Sequence, residues 1–128
     1  GKSAEGLIAS TGPIMVVDQL PDSHPTKAMG LKYKDVHQKA NNVASNDGFA
    51  PYSFDAWLIL ADASKRALKT AKPGTPEFRA ALRDAIEGAK NVAGANGVYN
   101  FTKDDHYGLD QRGALMVQVK DGDWLMLK

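Results

Sequence analysis

Phe54-Asp55-Ala56-Trp57-Leu58-Ile59-Leu60-Ala61 is the stretch on which the fold turns. It is apolar nearly all round, a pattern that suits a helix within a core better than one at a surface. The helix is predicted over Ser53 to about Ala71, with Trp57, Leu58 and Leu60 largely buried. Its second half turns amphipathic, with Lys65, Arg66, Lys69 and Lys72 directed outward. Basic residues in a last turn suit the negative end of the helix dipole. Pro73-Gly74 then stops the helix.

Downstream, Thr75-Pro76-Glu77 opens a further helix, with Thr as N-cap, Pro at the first helical position and Glu in the first turn. Phe78, Leu82, Ala85, Ile86 and Ala89 form one apolar stripe along it. Gly94 to Gly97 breaks the chain, and Val98-Tyr99-Asn100-Phe101 alternates as a strand does. Ala114–Val119 and Trp124–Leu127 flank Asp121-Gly122, a hairpin signal. Upstream, Leu7 to Val17 is apolar and partly β-branched, interrupted by Ser10-Thr11-Gly12-Pro13. This reads as two short strands, or one bent strand, buried on both faces as in a parallel α/β sheet. Asp18 to Pro25 is loop. A first helix follows with Met29, Tyr33, Val36 and Ala40 on one face, and Asn41–Gly48 is a turn-rich connection.

A length of 128 residues suits about one domain. Sixteen basic and 15 acidic residues are mixed along the chain for a net charge of +1, with no basic arm or face to neutralise phosphates, so nucleic acid is not an expected partner. The absence of cysteine removes disulfides, thiolate catalysis and cysteine metal sites together. No apolar run approaches the ~18 residues of a membrane span. The opening Gly1-Lys2-Ser3-Ala4-Glu5-Gly6 runs almost at once into an apolar stretch, which reads as a cut inside a larger protein.

Four segments in order carry a resemblance: Glu5-Gly6-Leu7, Tyr52-Ser53-Phe54-Asp55-Ala56, Gly97-Val98-Tyr99-Asn100-Phe101 and Val119-Lys120-Asp121-Gly122-Asp123-Trp124. Together they are similar to the C-terminal part of type I periplasmic solute-binding proteins, the branched-chain amino acid family that feeds ABC transporters. The resemblance implies an α/β fold: three helices packed on a sheet with a C-terminal β-hairpin, cut from a two-lobed protein that closes on its ligand by hinge motion. It further implies that residues 1–17 are a strand segment of one lobe and 18–109 the hinge and helices of the other. Residues 110–128 would be the hinge return and hairpin. Crossings between lobes fall near Met15–Leu20 and near Asp110–Gly113. The implied function is extracytoplasmic, periplasmic binding of a small amino acid-like or carboxylate solute, with the membrane permease of an ABC transporter as partner and no cofactor. One alternative is a ligand-sensing receptor domain of the same fold; another is a small α+β enzyme or oligomeric adaptor. A fragment of this kind leaves apolar faces uncovered, so self-association is also expected.

In this family an aromatic just before the long helix packs on the apolar part of the ligand. Matching Phe49-Ala50-Pro51-Tyr52 puts Phe49 in that role, with Tyr52 second; the competing reading makes both of them core residues that anchor the helix start. Asp104-Asp105-His106-Tyr107-Gly108-Leu109-Asp110 is the densest polar cluster. It reads as a structural loop before the last crossing, with His106 or Asp110 as a hinge or cleft contact. A metal site would need a distant second segment, for which His24 and His37 are the available histidines. The chain has no Gly-x-Ser-x-Gly elbow, phosphate loop or Gly-x-Gly-x-x-Gly fingerprint, so an enzyme is not expected.

Overall fold

The computed structural model describes residues 2–45 and 47–127. Three helices occupy the middle of the chain, α1 (Lys27–Asn41), α2 (Ala50–Ala67) and α3 (Pro76–Glu87). Both ends of the chain meet in one antiparallel sheet, ordered β1 (Ile8–Thr11), β4 (Leu115–Lys120), β5 (Asp123–Met126). A two-stranded ribbon of β2 (Val92–Ala93) and β3 (Val98–Tyr99) follows α3. The architecture is α/β.

The hairpin forms as its turn chemistry dictates. Lys120 pairs with Asp123 across a two-residue loop in which Asp121 and Gly122 both have positive φ, 54° and 85°. That is the geometry whose twist matches paired strands. Thr75 caps α3, its hydroxyl accepting from the Phe78 N–H at 3.1 Å.

The N-terminal apolar stretch departs from expectation. Only Ile8–Thr11 is strand, and it pairs antiparallel to β4, as Thr11 with Leu115 and Ile8 with Gln118. It alternates exposed and half-buried residues and is not covered on both faces. Pro13 has no N–H and a fixed φ, so the strand ends at Thr11 and the chain turns through Gly12 into a 3₁₀ segment, Pro13–Gln19. Ile14, Val16 and Val17 are buried there, with a kink at Val16 (φ −129°, ψ 27°) dividing the segment. Gln19 fastens the segment to the sheet edge, donating to Trp124 O at 2.7 Å and accepting from Met126 N–H at 2.8 Å. On its other side a Cβ at Gly30 would stand 2.7 Å from Val17 Cγ2, so α1 comes close against it.

The long helix starts three residues before the predicted Ser53. The Asp47 carboxylate accepts from Phe49 and Ala50 N–H, both at 2.7 Å, and Pro51 tolerates the first turn because its missing N–H has no helical partner there. The buried seam of α2 is Pro51, Asp55, Ile59, Ala63 and Ala67, one residue per turn. Apart from Ile59 its apolar members are small, which lets α3 pack closely. The expectation for Trp57 and Leu60 is overturned: they lie on the opposite side, 62% and 46% exposed, while Leu58 is half-buried. A helix apolar on every side has more than one face to bury, and this chain covers only one of them. Trp57 keeps one stacking partner, Phe54, with centroids 6.4 Å apart.

Two clusters form the core. Ile14, Val17, Leu20, Tyr33 and Ala95 bring the 3₁₀ segment, α1 and the 94–97 turn together, with Phe54, Leu115 and Met126 packed against them. Ile59, Ala89, Tyr99 and Phe101 join α2 to the end of α3 and the ribbon. Asp55 stands between them, 1% exposed, accepting from Ala95 N–H (2.6 Å), Asn96 N–H (2.9 Å) and the Tyr99 hydroxyl (2.8 Å). Removing it strands three buried donors. Asp55→Ala is expected to cost about 3–5 kcal/mol, whereas Trp57→Ala should cost no more than about 1 kcal/mol, since over half of that ring remains in water. Denaturant titration of the two variants checks the order; equal losses would show that Trp57 is buried in solution.

Candidate functional site

The site is built on the segment that leads into α2. Asp47 lines a cleft of about 240 Å3 together with Ile14 and Met15 of the 3₁₀ segment. Ser45, and Asp123 and Trp124 of the hairpin, line it as well. The cleft therefore lies where the helical part of the chain faces the sheet. Ser45 is tied to α1 through the Tyr33 hydroxyl, 3.1 Å from its Oγ.

Two residues past Asp47, the Phe49 side chain is 85% exposed. Its backbone is not loose. The peptide joining Gly48 to Phe49 is held at both ends: its N–H donates to Asp47 Oδ1 at 2.7 Å, and its carbonyl accepts from Asn96 Nδ2 at 2.9 Å. Tyr52 follows one turn later, its N–H donating to Phe49 O at 3.0 Å. The competing reading of Phe49 as a core anchor does not fit its exposure; Tyr52, 39% exposed, is partly covered.

Burial raises the Tyr52 phenol above its ordinary range, with the neighbouring Tyr107 phenol and Asp55 carboxylate adding to the effect. Tyr99 is pushed up more strongly, first by burial and then by its bond to Asp55, with Tyr52 and Tyr107 contributing. Of these tyrosines, Tyr99 bonds the Asp55 carboxylate, while Tyr52 and Tyr107 enter only through charge. Asp55 is itself raised by burial, against the pull of the three groups that donate to it. Tyr107, 74% exposed, was not singled out from the sequence; nothing in its linear surroundings distinguishes it from the polar loop that carries it.

The other two candidate residues lie apart from this group. His106 points to Glu87 of α3, Nε2 to Oε1 3.4 Å. With Glu87 it lines a separate groove of about 430 Å3, whose other walls are Arg79, Leu82, Arg83, Ile86 and Phe101. That groove is larger than the cleft but shares no residue with it. Asp110 caps a short 3₁₀ turn, Gln111–Gly113, accepting from Arg112 N–H at 2.9 Å and gripping the Arg112 guanidinium. This pairing holds its carboxyl at about 2. His24 is lowered by burial and then by the positive charge of Arg112. Among the described residues no three Asp, Glu or His side chains converge as a metal ion requires. Nor is any helix among them long and apolar enough to cross a membrane.

Comparison with known proteins agrees with this layout. No protein-family model and no curated protein sequence matches the chain. Among solved structures, an extracellular ligand-binding receptor from Rhodopseudomonas palustris HaA2 is 43% identical over the whole chain, with a TM-score of 0.90. The chain spans 36% of that protein. A leucine binding protein from Thermotoga maritima (23% identity, TM-score 0.59, all of this chain and 31% of that one) shares the fold. So does an ABC transporter substrate-binding protein from Desulfitobacterium hafniense in complex with Leu (21%, 0.60, 98% and 32%). The class of fold is thereby defined: the chain is similar to about a third of a two-lobed type I periplasmic binding protein. Within that class its strong likeness is to the extracellular ligand-binding receptors of R. palustris.

Asp47 offers a check on the loop. Its two backbone donors, Ala50 first, hold its carboxyl below the ordinary range. A depressed folded-state value means that the cap's contribution is present above the unfolded value and is lost as pH falls through the folded one. The Phe49 and Ala50 amide resonances should therefore titrate together below about pH 4, and Asp47→Asn should abolish the inflection. A midpoint above that range would rule out the cap.

Proposed function

We propose that the protein binds a small amino acid-like or carboxylate solute outside the cytoplasm, in the periplasm, and passes it to the membrane permease of an ABC transporter. The observation that carries this is the exposed Phe49 ring on an anchored backbone, two residues past the cleft-lining Asp47. A rigid aromatic gives large contact area at little entropic cost, and it stays available to a ligand when its main chain is already fixed. The sheet from the two chain ends and the helices from the middle belong to different lobes, with 13–19 and 111–113 as the crossings. Binding stabilises the closed arrangement of the lobes.

The cleft walls refine the ligand class. Asp47 and Asp123 both line the cleft, and Asp47 is held in its charged form. Two carboxylates favour a solute bearing an ammonium group over a simple aromatic acid. The fold of the two leucine-associated relatives is consistent with this choice.

Calorimetry on the intact protein with L-leucine, L-phenylalanine and benzoate tests the reading. The amino acids should bind in preference to benzoate. Phe49→Ala should weaken binding by about 1–3 kcal/mol, five- to a hundredfold, with little change in melting temperature. Unchanged affinity alongside a large drop in melting temperature would make Phe49 a packing residue and remove the proposal's main support.

A further inference from the structure

Asn96 is fully buried, and its side chain reaches two segments remote in sequence while its backbone carbonyl approaches a third. Its Nδ2 donates to Gly48 O at 2.9 Å, closing the second end of the peptide that precedes Phe49. Its Oδ1, buried and without a hydrogen-bond partner among the described residues, points at Gly12, where an added Cβ would come within 2.5 Å. Its backbone carbonyl stands 3.3 Å from where a Cβ at Gly113 would lie. Gly12 caps the start of the 3₁₀ segment Pro13–Gln19 and Gly113 closes the segment Gln111–Gly113. One residue thus touches the Phe49 loop and both segments that link sheet to helices.

The turn that carries Asn96 is fixed independently of its side chain. Asp55 accepts the backbone N–H groups of Ala95 and Asn96, and Gly94 leaves no room for a Cβ against that carboxylate. Changing the Asn96 side chain therefore leaves the turn anchored.

We propose that Asn96 is the positioning residue of the solute site: its side chain sets the direction of Phe49 through the Gly48 carbonyl and registers that loop against the linking segment that begins at Gly12. The proposal rests on the reading of Phe49 as a solute contact for its purpose, but the positioning itself can be read without any ligand. A peptide held at both ends has its plane fixed, and the direction of the next Cα–Cβ bond is fixed with it. Releasing the carbonyl end lets the plane rotate and spreads the ring over several orientations, of which few suit a ligand. The effect is loss of preorganisation without loss of a contact.

Amide hydrogen exchange on the intact protein tests it directly. Asn96→Ala should speed exchange at Phe49 and Ala50 at least tenfold and leave Ala63 and Ala67, in the middle and last turn of α2, unchanged. Unchanged rates at Phe49, or a uniform rise along α2, would overturn the proposal. Gly12→Ala gives a second arm. At φ −69° and ψ 152° the backbone accepts alanine, so any penalty comes from Asn96. The substitution should lower the melting temperature in the parent and do so much less in an Asn96→Ala background; an equal drop in both would show that the carboxamide is not seated there. In calorimetry with L-leucine as probe, Asn96→Ala should weaken binding, and adding it to Phe49→Ala should weaken binding no further. Additive losses would mean that Asn96 does not act through Phe49. If L-leucine binds the parent but Phe49→Ala leaves its affinity intact, or if L-leucine does not bind the parent at all, the reading of the site fails. In both cases the exchange result still decides the positioning.

Discussion

The Asp55 carboxylate is the constraint on which the rest depends. A buried carboxylate survives in a protein interior only when donors surround it, because its desolvation is otherwise far too costly. Here the donors are two successive backbone N–H groups of the 95–96 turn and one phenol, all between 2.6 and 2.9 Å. The arrangement binds the first part of α2 to a turn 40 residues later. It also orients that turn, which carries Asn96, and Asn96 in turn reaches the loop before α2. The loop, the turn and the helix are thus mutually determined by groups that no single segment contains.

Much of this was legible in the sequence, and the legible parts are those fixed by local chemistry. Asp121-Gly122 gave the hairpin because few residue pairs accept positive φ twice in succession. Thr75-Pro76-Glu77 gave the start of α3 for a similar reason: one side-chain oxygen and one ring decide it. The order of four short segments was enough to suggest the family, and the solved relatives agree. What failed was the inference from hydrophobicity to burial. Trp57 and Leu60 are as apolar as Ile59, but burial is set by what lies opposite, and periodicity says nothing of that when every face is apolar. A better signal was present in Asp55 itself, a lone acidic residue in an otherwise apolar helix start. Such a residue has to be paired or to face water, and its four-residue spacing from Pro51 and Ile59 marks the seam that packs.

The N-terminal stretch shows a different limit. Leu7–Val17 has the composition of a doubly covered strand, yet Pro13 divides it into an edge strand and a 3₁₀ turn whose apolar side chains enter the core from another direction. Proline was noticed as a break; what it could not convey is that Gln19 would then satisfy the edge of β5 with its side-chain amide. A pairing over more than a hundred residues has no local trace. The site residues divide along the same line. Phe49 and Tyr52 share one turn and were readable as a unit, whereas His106 and Asp110 fell in one polar cluster but engage Glu87 and Arg112 in separate places.

Phe49 and Trp57 show why exposure by itself is a poor guide to function. Both are large aromatics, both mostly in solvent, and both belong to the same helix or its approach. Trp57 sits on a regular helical turn, its ring stacked on Phe54, and only the helix holds its backbone. A side chain so placed is free to serve as packing for whatever covers that face, and the chain spans little more than a third of the relatives it matches. Phe49 is different because the structure invests polar interactions in its main chain: Asp47 at one end of the peptide, Asn96 at the other, and behind Asn96 the buried Asp55. Ordering a loop costs conformational entropy that an ordinary surface turn does not need to offset. An exposed ring on a backbone fixed at both ends of its peptide is the mark of a residue whose position matters more than its burial.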